Sequence, residues 1–258
     1  MEYGICNLAV IPMRAEPREV SEMTSQVLFG EIFEIIEWRD KWAKVTTTYD
    51  NYTGWVGRLL FTMVGHIAYQ DLTQKPPSPL TYGTVTQAWK KSDNTVLYLP
   101  VGSSLSFLEG NRCKIGNEKF EIIGPKGDIE NFVTTAKSFL NSPYLWGGRT
   151  HFGIDCSGYV QAVFKLHGVK LKRDASQQAE QGAIVASLNE ARLGDLAFFK
   201  NADGRVVHVG IMLNDKQIIH ASGKVKIDSI DEEGIYSEEL KRYTHTLHSI
   251  KRHDKLPV

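Results

Sequence analysis

Over residues 1–65 apolar and polar positions alternate in short runs, seen in Glu31-Ile32-Phe33-Glu34-Ile35-Ile36-Glu37-Trp38, Trp42-Ala43-Lys44-Val45 and Gly54-Trp55-Val56. Polar turns such as Arg39-Asp40-Lys41 part them. This alternation, with its aromatic content, predicts strands of a small barrel in which every second side chain points inward. Gln74-Lys75-Pro76-Pro77-Ser78-Pro79 follows, and its prolines resist both helix and central strand, so it reads as a linker or crossover. A second β-rich stretch, residues 80–124, carries Thr95–Leu99, Ser104–Leu108 and Lys119–Ile123, broken at Pro100-Val101-Gly102 and Gly116-Asn117.

The period changes at Asp128. Ile129, Phe132, Val133, Ala136 and Leu140 recur at helical spacing until Asn141-Ser142-Pro143 stops the run. A second helix is predicted to begin at Cys156, with Val160, Val163 and Phe164 on the cysteine's face and Gly168 as its stop. Strands then dominate: Asp195–Phe199, Val206–Leu213 and Gln217–Ala221. One helix followed by an antiparallel sheet is an α+β pattern. The expected division is 1–65, 66–125 and 126–258, two β modules and one α+β domain.

Composition narrows the class. The 258 residues are 42% hydrophobic and 23% charged, the profile of a globular protein with a sizeable core. Thirty basic and thirty acidic side chains cancel, so no long-range field favours nucleic acid or an anionic membrane. No apolar run approaches the roughly 18–20 residues that span a bilayer. Met1-Glu2-Tyr3-Gly4-Ile5-Cys6 lacks the basic and apolar regions of a secretory signal, which gives an expectation of cytoplasmic location, or of a periplasmic or secreted one had a leader been trimmed. Three widely spaced cysteines, Cys6, Cys113 and Cys156, imply no disulfide framework. Two of them are expected to be small buried hydrophobes.

Cys156 carries the chemistry. At a helix start, unpaired N–H groups and the positive end of the dipole favour a thiolate, and Gly153 and Gly158 let backbone approach on both sides. An isolated cysteine is more often structural, so its partners decide. His208 and His220 flank a predicted hairpin loop, Asn214-Asp215-Lys216. If Leu213 pairs with Gln217, Gly210 lies opposite His220 and His208 sits two residues along the same face, about 7–8 Å away between Cα atoms. One imidazole can then take the thiol proton while the other orients it. Tyr144, in Tyr144-Leu145-Trp146-Gly147-Gly148-Arg149, could aim its hydroxyl at a developing oxyanion or be a loop aromatic packed on the core. His245, His248 and His253 form a further histidine group, in a strand-like polar tail with no carboxylate at matching spacing. No metal and no cofactor are therefore expected.

Tyr144-x-Trp146-Gly147-Gly148, Asp155-Cys156-Ser157-Gly158, Gly194-Asp195-Leu196-x-Phe198-Phe199, His208-Val209-Gly210-Ile211 and Ile219-His220-Ala221 resemble, in order, the signature blocks of NlpC/P60 cysteine peptidases. The resemblance implies a circularly permuted papain-like fold, with the cysteine on a helix packed against a sheet bearing the histidines, and cleavage of cell-wall peptides. Upstream, Tyr52-Thr53-Gly54-Trp55-Val56 is similar to bacterial SH3 domains. Two such modules before the peptidase resemble the γ-D-glutamyl-L-diamino acid endopeptidases of the YkfC type, which recycle murein peptides bearing a free amino-terminal L-Ala. That implies Cys156 as nucleophile, His208 as base, His220 as orienting residue and Tyr144 at the oxyanion. It also implies Asp155, with a Tyr and a Glu of the first SH3 module, at the substrate amine, and Ser157 and Ser176 at the D-Glu carboxylate. Tyr52 and Glu22 are the chosen pair, with Tyr49, Glu31 and Asp50 competing. The expected partner is a murein peptide, L-Ala-γ-D-Glu-diamino acid, met by a monomer. A CHAP-type amidase, a hydrolase of intact wall and a non-catalytic wall-binding protein are the alternatives.

Overall fold

The alternating runs near the N-terminus are strands in the computed structural model, which describes residues 1–74, 77–123 and 131–254. They are β1 (Glu2–Ile5), β2 (Val10–Arg14), β3 (Met23–Leu28), β4 (Ile32–Arg39), β5 (Trp42–Thr47), β6 (Thr53–Gly57) and β7 (Thr62–Val64). They form one antiparallel sheet in the order β3-β2-β6-β5-β4-β1-β7. Alternate side chains turn inward, so Cys6, Ile11, Met13, Val27, Phe33, Ile35, Ala43, Val45 and Val56 make one core. A short helix that the sequence pattern did not predict, α1 (His66–Gln74), ends where the expected linker begins; Tyr69 stacks on Tyr3 with ring centres 3.8 Å apart. The proline run begins with residues 75 and 76, which lie outside the described residues.

The second β-rich stretch supplies β8 (Val85–Lys90), β9 (Thr95–Pro100), β10 (Arg112–Ile115) and β11 (Glu118–Ile123), in the order β10-β11-β8-β9. Its apolar face does not close on itself alone. Ala88, Leu99, Cys113, Ile115 and Phe120 share a core with Ile5, Phe29 and Ile32 of the first sheet. Phe29 meets Phe120 edge to face at 5.1 Å. Gly30 makes the join possible: at φ +75° it lets the Ser104 carbonyl come so near that an added Cβ would lie 1.8 Å away. Cys6 and Cys113 are buried in these two cores, as expected.

These strands lie in a unit spanning Met1–Asp128; Ile129–Val258 forms a second. The expected helix start at Asp128 and Ile129 falls outside the described residues. The helix seen is α2 (Phe132–Ser138), shorter than its apolar spacing suggested, with the Asn131 side chain accepting from the Thr134 N–H at 3.0 Å. A two-stranded ribbon, β12 (Arg149–Thr150) and β13 (Gly153–Ile154), leads into α3 (Cys156–Leu166), and α4 (Ala175–Gln178) follows. Then come β14 (Ala183–Val185), β15 (Leu196–Lys200), β16 (Val206–Met212), β17 (Gln217–Ser222), β18 (Lys224–Ile230), β19 (Gly234–Ser237) and β20 (Arg242–Arg252). The order β14-β20-β15-β16-β17-β18-β19 closes because β19 also pairs with β20. The result is an α+β domain in which α3 packs on β16 and β17. Val160, Val163 and Phe164, on the helix face read from the sequence, are fully buried. Among the described residues no helix is long and apolar enough to cross a membrane.

Candidate active site

The approach to Cys156 is a loop that converges on one carboxylate. Asp155 is the N-cap of α3, and its Oδ1 accepts from the Gly158 N–H at 2.7 Å. Oδ1 also receives the Ser157 hydroxyl at 3.3 Å, and Oδ2 receives the Gly147 N–H at 2.8 Å. The Arg173 guanidinium closes the set from both sides, Nη1 to Oδ1 at 3.0 Å and Nη2 to Oδ2 at 2.5 Å. Arg173 is 1% exposed and Asp155 5%, so this is a buried bidentate pair. The helix start is correspondingly tight: a Cβ at position 158 would sit 2.3 Å from the Gly148 carbonyl oxygen, so glycine is required there.

Cys156 follows as the first residue of α3, itself buried. Its thiol is pushed up to about 12, first by burial and then by the charge of Asp155. The Val209 and Ser157 amides and the Arg173 charge act in the opposite direction without overcoming this. The sequence suggested a thiolate favoured by the helix start; in the structure burial and the Asp155 charge oppose it.

The histidines come from the predicted hairpin in the predicted register. Ile211 pairs with Ile219 and Met212 with Ile218, which puts His208 and His220 on one face. His208 Nε2 lies 2.9 Å from His220 Nδ1. The next hairpin adds Asp228, whose Oδ2 lies 3.0 Å from His220 Nε2 and 3.0 Å from Lys226 Nζ. Burial acts to raise the Asp228 carboxyl, but the bonds from His220 and Lys226 outweigh it and hold the group below the usual carboxylate range. Burial draws His220 below the usual imidazole range against the opposing pull of Asp228. His208 is drawn well below it, by burial and then by its neighbours His245 and His220.

Tyr144 is half-buried, and its phenol is pushed up by burial and then by the nearby Cys156 and Asp155, so it remains an O–H donor. It lines a cleft of about 350 Å³ with Val207, His208, Ala221, Ser222, Gly223 and His245.

Residues 141–244 match the NlpC/P60 family, and residues 13–58 match the bacterial dipeptidyl-peptidase Sh3 domain. The chain is 31% identical over 234 residues to the gamma-D-glutamyl-L-lysine dipeptidyl-peptidase of Bacillus subtilis, covering 84% of this chain and 78% of that protein. The chain belongs to the NlpC/P60 family. It is a cysteine peptidase. It is also 29% identical to dipeptidyl-peptidase 6 of Lysinibacillus sphaericus, over 91% of this chain and 96% of that one. A crystal structure of an NlpC/P60 family protein from Bacillus cereus superposes with a TM-score of 0.78 at 19% identity, covering 99% of this chain and 100% of that chain, and so shares the fold.

Of the residues expected in an NlpC/P60 site, the structure gathers Cys156, His208, His220, Tyr144, Asp155 and Ser157 in the second unit. Asp155 arrives with both oxygens occupied, so a substrate ammonium would have to share it with Arg173. The Ser157 hydroxyl is likewise held, accepting from Arg173 Nη1 at 2.9 Å. Ser176 stands exposed on α4. In the first unit, Glu22 is exposed just before β3, and Tyr52 packs against the first core between β5 and β6. The competing carboxylates shape turns there: Glu31 accepts from the Leu28 N–H at 2.9 Å, and Asp50 accepts from the Tyr52 N–H at 3.3 Å. The tail histidines do not assemble as a group. His245 stacks on His208 with centroids 4.1 Å apart, while His248 is exposed beside Ser249 and His253 packs on Phe164. Arg173 and Asp228 went unread in the sequence, and His245 was read only as one of the tail histidines. Of these, Asp228 had a signal: Gly223 turns the chain after His220, and His220 pairs with Lys226, which puts Asp228 a diagonal step away on the same face.

Proposed function

We propose that this peptidase hydrolyses the bond between γ-D-Glu and an L-diamino acid, lysine or diaminopimelate, in murein peptides with a free amino-terminal L-Ala. In this reading it serves cell-wall peptide recycling and works on fragments in the cytoplasm. The observation that carries the proposal is the likeness to a γ-D-glutamyl-L-lysine dipeptidyl-peptidase along 84% of this chain, through both units. A dipeptidyl-peptidase counts two residues from a free amino end, which is why the amine enters the proposal.

The hydrogen-bond order assigns the protons. Ionised Asp228 is an acceptor, so neutral His220 donates Nε2–H to it and offers a lone pair at Nδ1. His208 must then donate Nε2–H to His220, which leaves the lone pair of His208 on Nδ1. That nitrogen takes the proton of Cys156 as sulfur attacks the γ-carbonyl carbon, and the C=O electron pair moves onto oxygen. The Tyr144 hydroxyl donates to this oxyanion. Collapse breaks the C–N bond, the Nδ1 proton passes to the leaving amine, and a thioester remains. Water, deprotonated by the same Nδ1, hydrolyses the thioester and restores the thiol. With burial and Asp155 pushing the Cys156 thiol up, proton transfer accompanies attack rather than preceding it.

The test is incubation with L-Ala-γ-D-Glu-L-Lys and its diaminopimelate counterpart, with products identified by mass. Release of L-Ala-D-Glu is expected, with the N-acetylated tripeptide cut at least about tenfold more slowly, the worth of one charged hydrogen bond. Cleavage at the muramoyl amide, or efficient digestion of purified sacculi, would replace the proposal with an amidase or a wall-remodelling hydrolase.

A further inference from the structure

We infer that His208, His220 and His245 form a site for Zn2+, and that the ion switches the peptidase off. Among the described residues these three offer ligand nitrogens that all lie within 4.8 Å of one another. Their origins on β16, β17 and β20 make the grouping a product of the closed sheet rather than of a local motif. Zinc–imidazole bonds of about 2.0–2.1 Å at tetrahedral angles separate nitrogens by about 3.3 Å. The 2.9 Å His208–His220 pair therefore has to open by a few tenths of an ångström, with His245 swinging inward.

Two further features fit. Asp228 already accepts from the far nitrogen of His220, the carboxylate–histidine arrangement that orients a zinc ligand and raises its basicity. His245 lines the cleft beside His208, so the ion has an entry path. Three imidazoles suit Zn2+ better than Mg2+ or Ca2+, which prefer oxygen ligands.

Inhibition follows from electron counting and rests on the role proposed above for His208. A neutral imidazole has one basic lone pair. Metal at Nδ1 occupies it directly; metal at Nε2 moves the ring proton to Nδ1. Either way the nitrogen that would accept the thiol proton is lost. Zinc here is an inhibitor, not a cofactor.

The experiment is a Zn2+ titration of the metal-stripped full chain against a chromophoric chelator, paired with hydrolysis of L-Ala-γ-D-Glu-L-Lys at matched free Zn2+. One ion per chain is expected, with hydrolysis falling over the same concentration range and returning when EDTA is added. His245→Phe keeps a ring stacked on His208 but removes the ligand nitrogen. It should raise both the dissociation constant and the half-inhibitory concentration at least about tenfold. Cys156→Ser should still bind, which separates the histidines from a thiolate site. Unchanged binding in His245→Phe overturns the site, and stoichiometric binding without loss of hydrolysis overturns the inhibition. Should the tripeptide not be cut at all, the substrate reading fails on its own, and the chelator titration still decides the site.

Discussion

The loop that starts α3 and the histidine face on β16, β17 and β18 each converge on a buried carboxylate, and they use it in opposite ways. Asp155 takes five donors, two of them from Arg173, so its charge is fully paired and its proton inventory is closed. Asp228 takes His220 and Lys226, and beyond it runs a chain of neutral rings whose protons can move. A saturated charge network fixes geometry; a chain of neutral donors and acceptors moves protons. In the proposed mechanism the first region holds the nucleophile in place, and the second handles its hydrogen.

The largest effects should come from breaking the proton chain. Cys156→Ala is expected to abolish tripeptide hydrolysis, and His208→Ala to lower kcat by about a hundred- to ten-thousandfold. His220→Ala should keep measurable activity, since water can replace an orienting group in part. Asp228 gives a finer test. In Asp228→Asn the amide can donate to His220 Nε2, which moves the His220 proton to Nδ1, forces His208 Nε2 to accept and leaves His208 Nδ1 protonated. Asp228→Asn is thus expected to lose more kcat than Asp228→Ala, by about tenfold or more. Equal losses would mean that Asp228 acts by charge alone.

Breaking the saturated network should instead cost stability. Arg173→Met leaves the Asp155 carboxylate buried without its cation, a change worth about 3–5 kcal/mol. Urea denaturation should show it as a lowered midpoint. Adding Asp155→Asn should recover part of the loss, because the two residues interact directly and their effects do not add.

What could be read in advance follows the same division. The His208–His220 pair was legible because a short hairpin fixes register and a two-residue period fixes the face. The start of α3 was legible from Asp155, Gly158 and the apolar stripe of Val160, Val163 and Phe164. The Asp155–Arg173 pair was not, because it joins residues 18 apart through tertiary packing that no period encodes. His245 reaches His208 only because β20 pairs with both β15 and β19. In the first unit the strands were legible, but the shared core was not, since each strand pattern shows which face is buried and not against what. The helix α1 was hidden because none of its residues is fully buried and its composition is mixed.

A smaller effect concerns acid stability. His208, His220 and His245 are lowered in the folded state, so below the ordinary imidazole value of about 6.5 the unfolded chain binds more protons. Their contribution is complete above that value and is lost as pH falls toward the folded value, about 4 for His245. His151, lowered to about 4 by burial, acts in the same sense. His245→Phe removes one titrating group, so its stability should fall less steeply than the wild type's between these pH values. Parallel curves from urea denaturation across that range would assign the acid sensitivity elsewhere.

The smallest effect separates two accounts of how the nucleophile is activated. A preformed thiolate–imidazolium pair would alkylate with a rate that plateaus from mildly acidic pH upward, because the reactive ion is already present. In this structure burial and Asp155 push the Cys156 thiol up to about 12, and burial leaves His208 neutral. The ion is then formed only as the proton moves, and hydroxide competes with His208 for it. The iodoacetamide rate at Cys156 should therefore keep climbing into the alkaline range with no acid plateau. Cys113, also pushed up to about 12, and Cys6, raised further by complete burial, should climb as well but from a lower level. Both lie within hydrophobic cores. Mass-spectrometric site counting across pH would separate the three thiols. A plateau at Cys156 beginning near pH 5 would show that the ion pair exists at rest, and the proton chain from Asp228 would then stabilise an imidazolium rather than present a base.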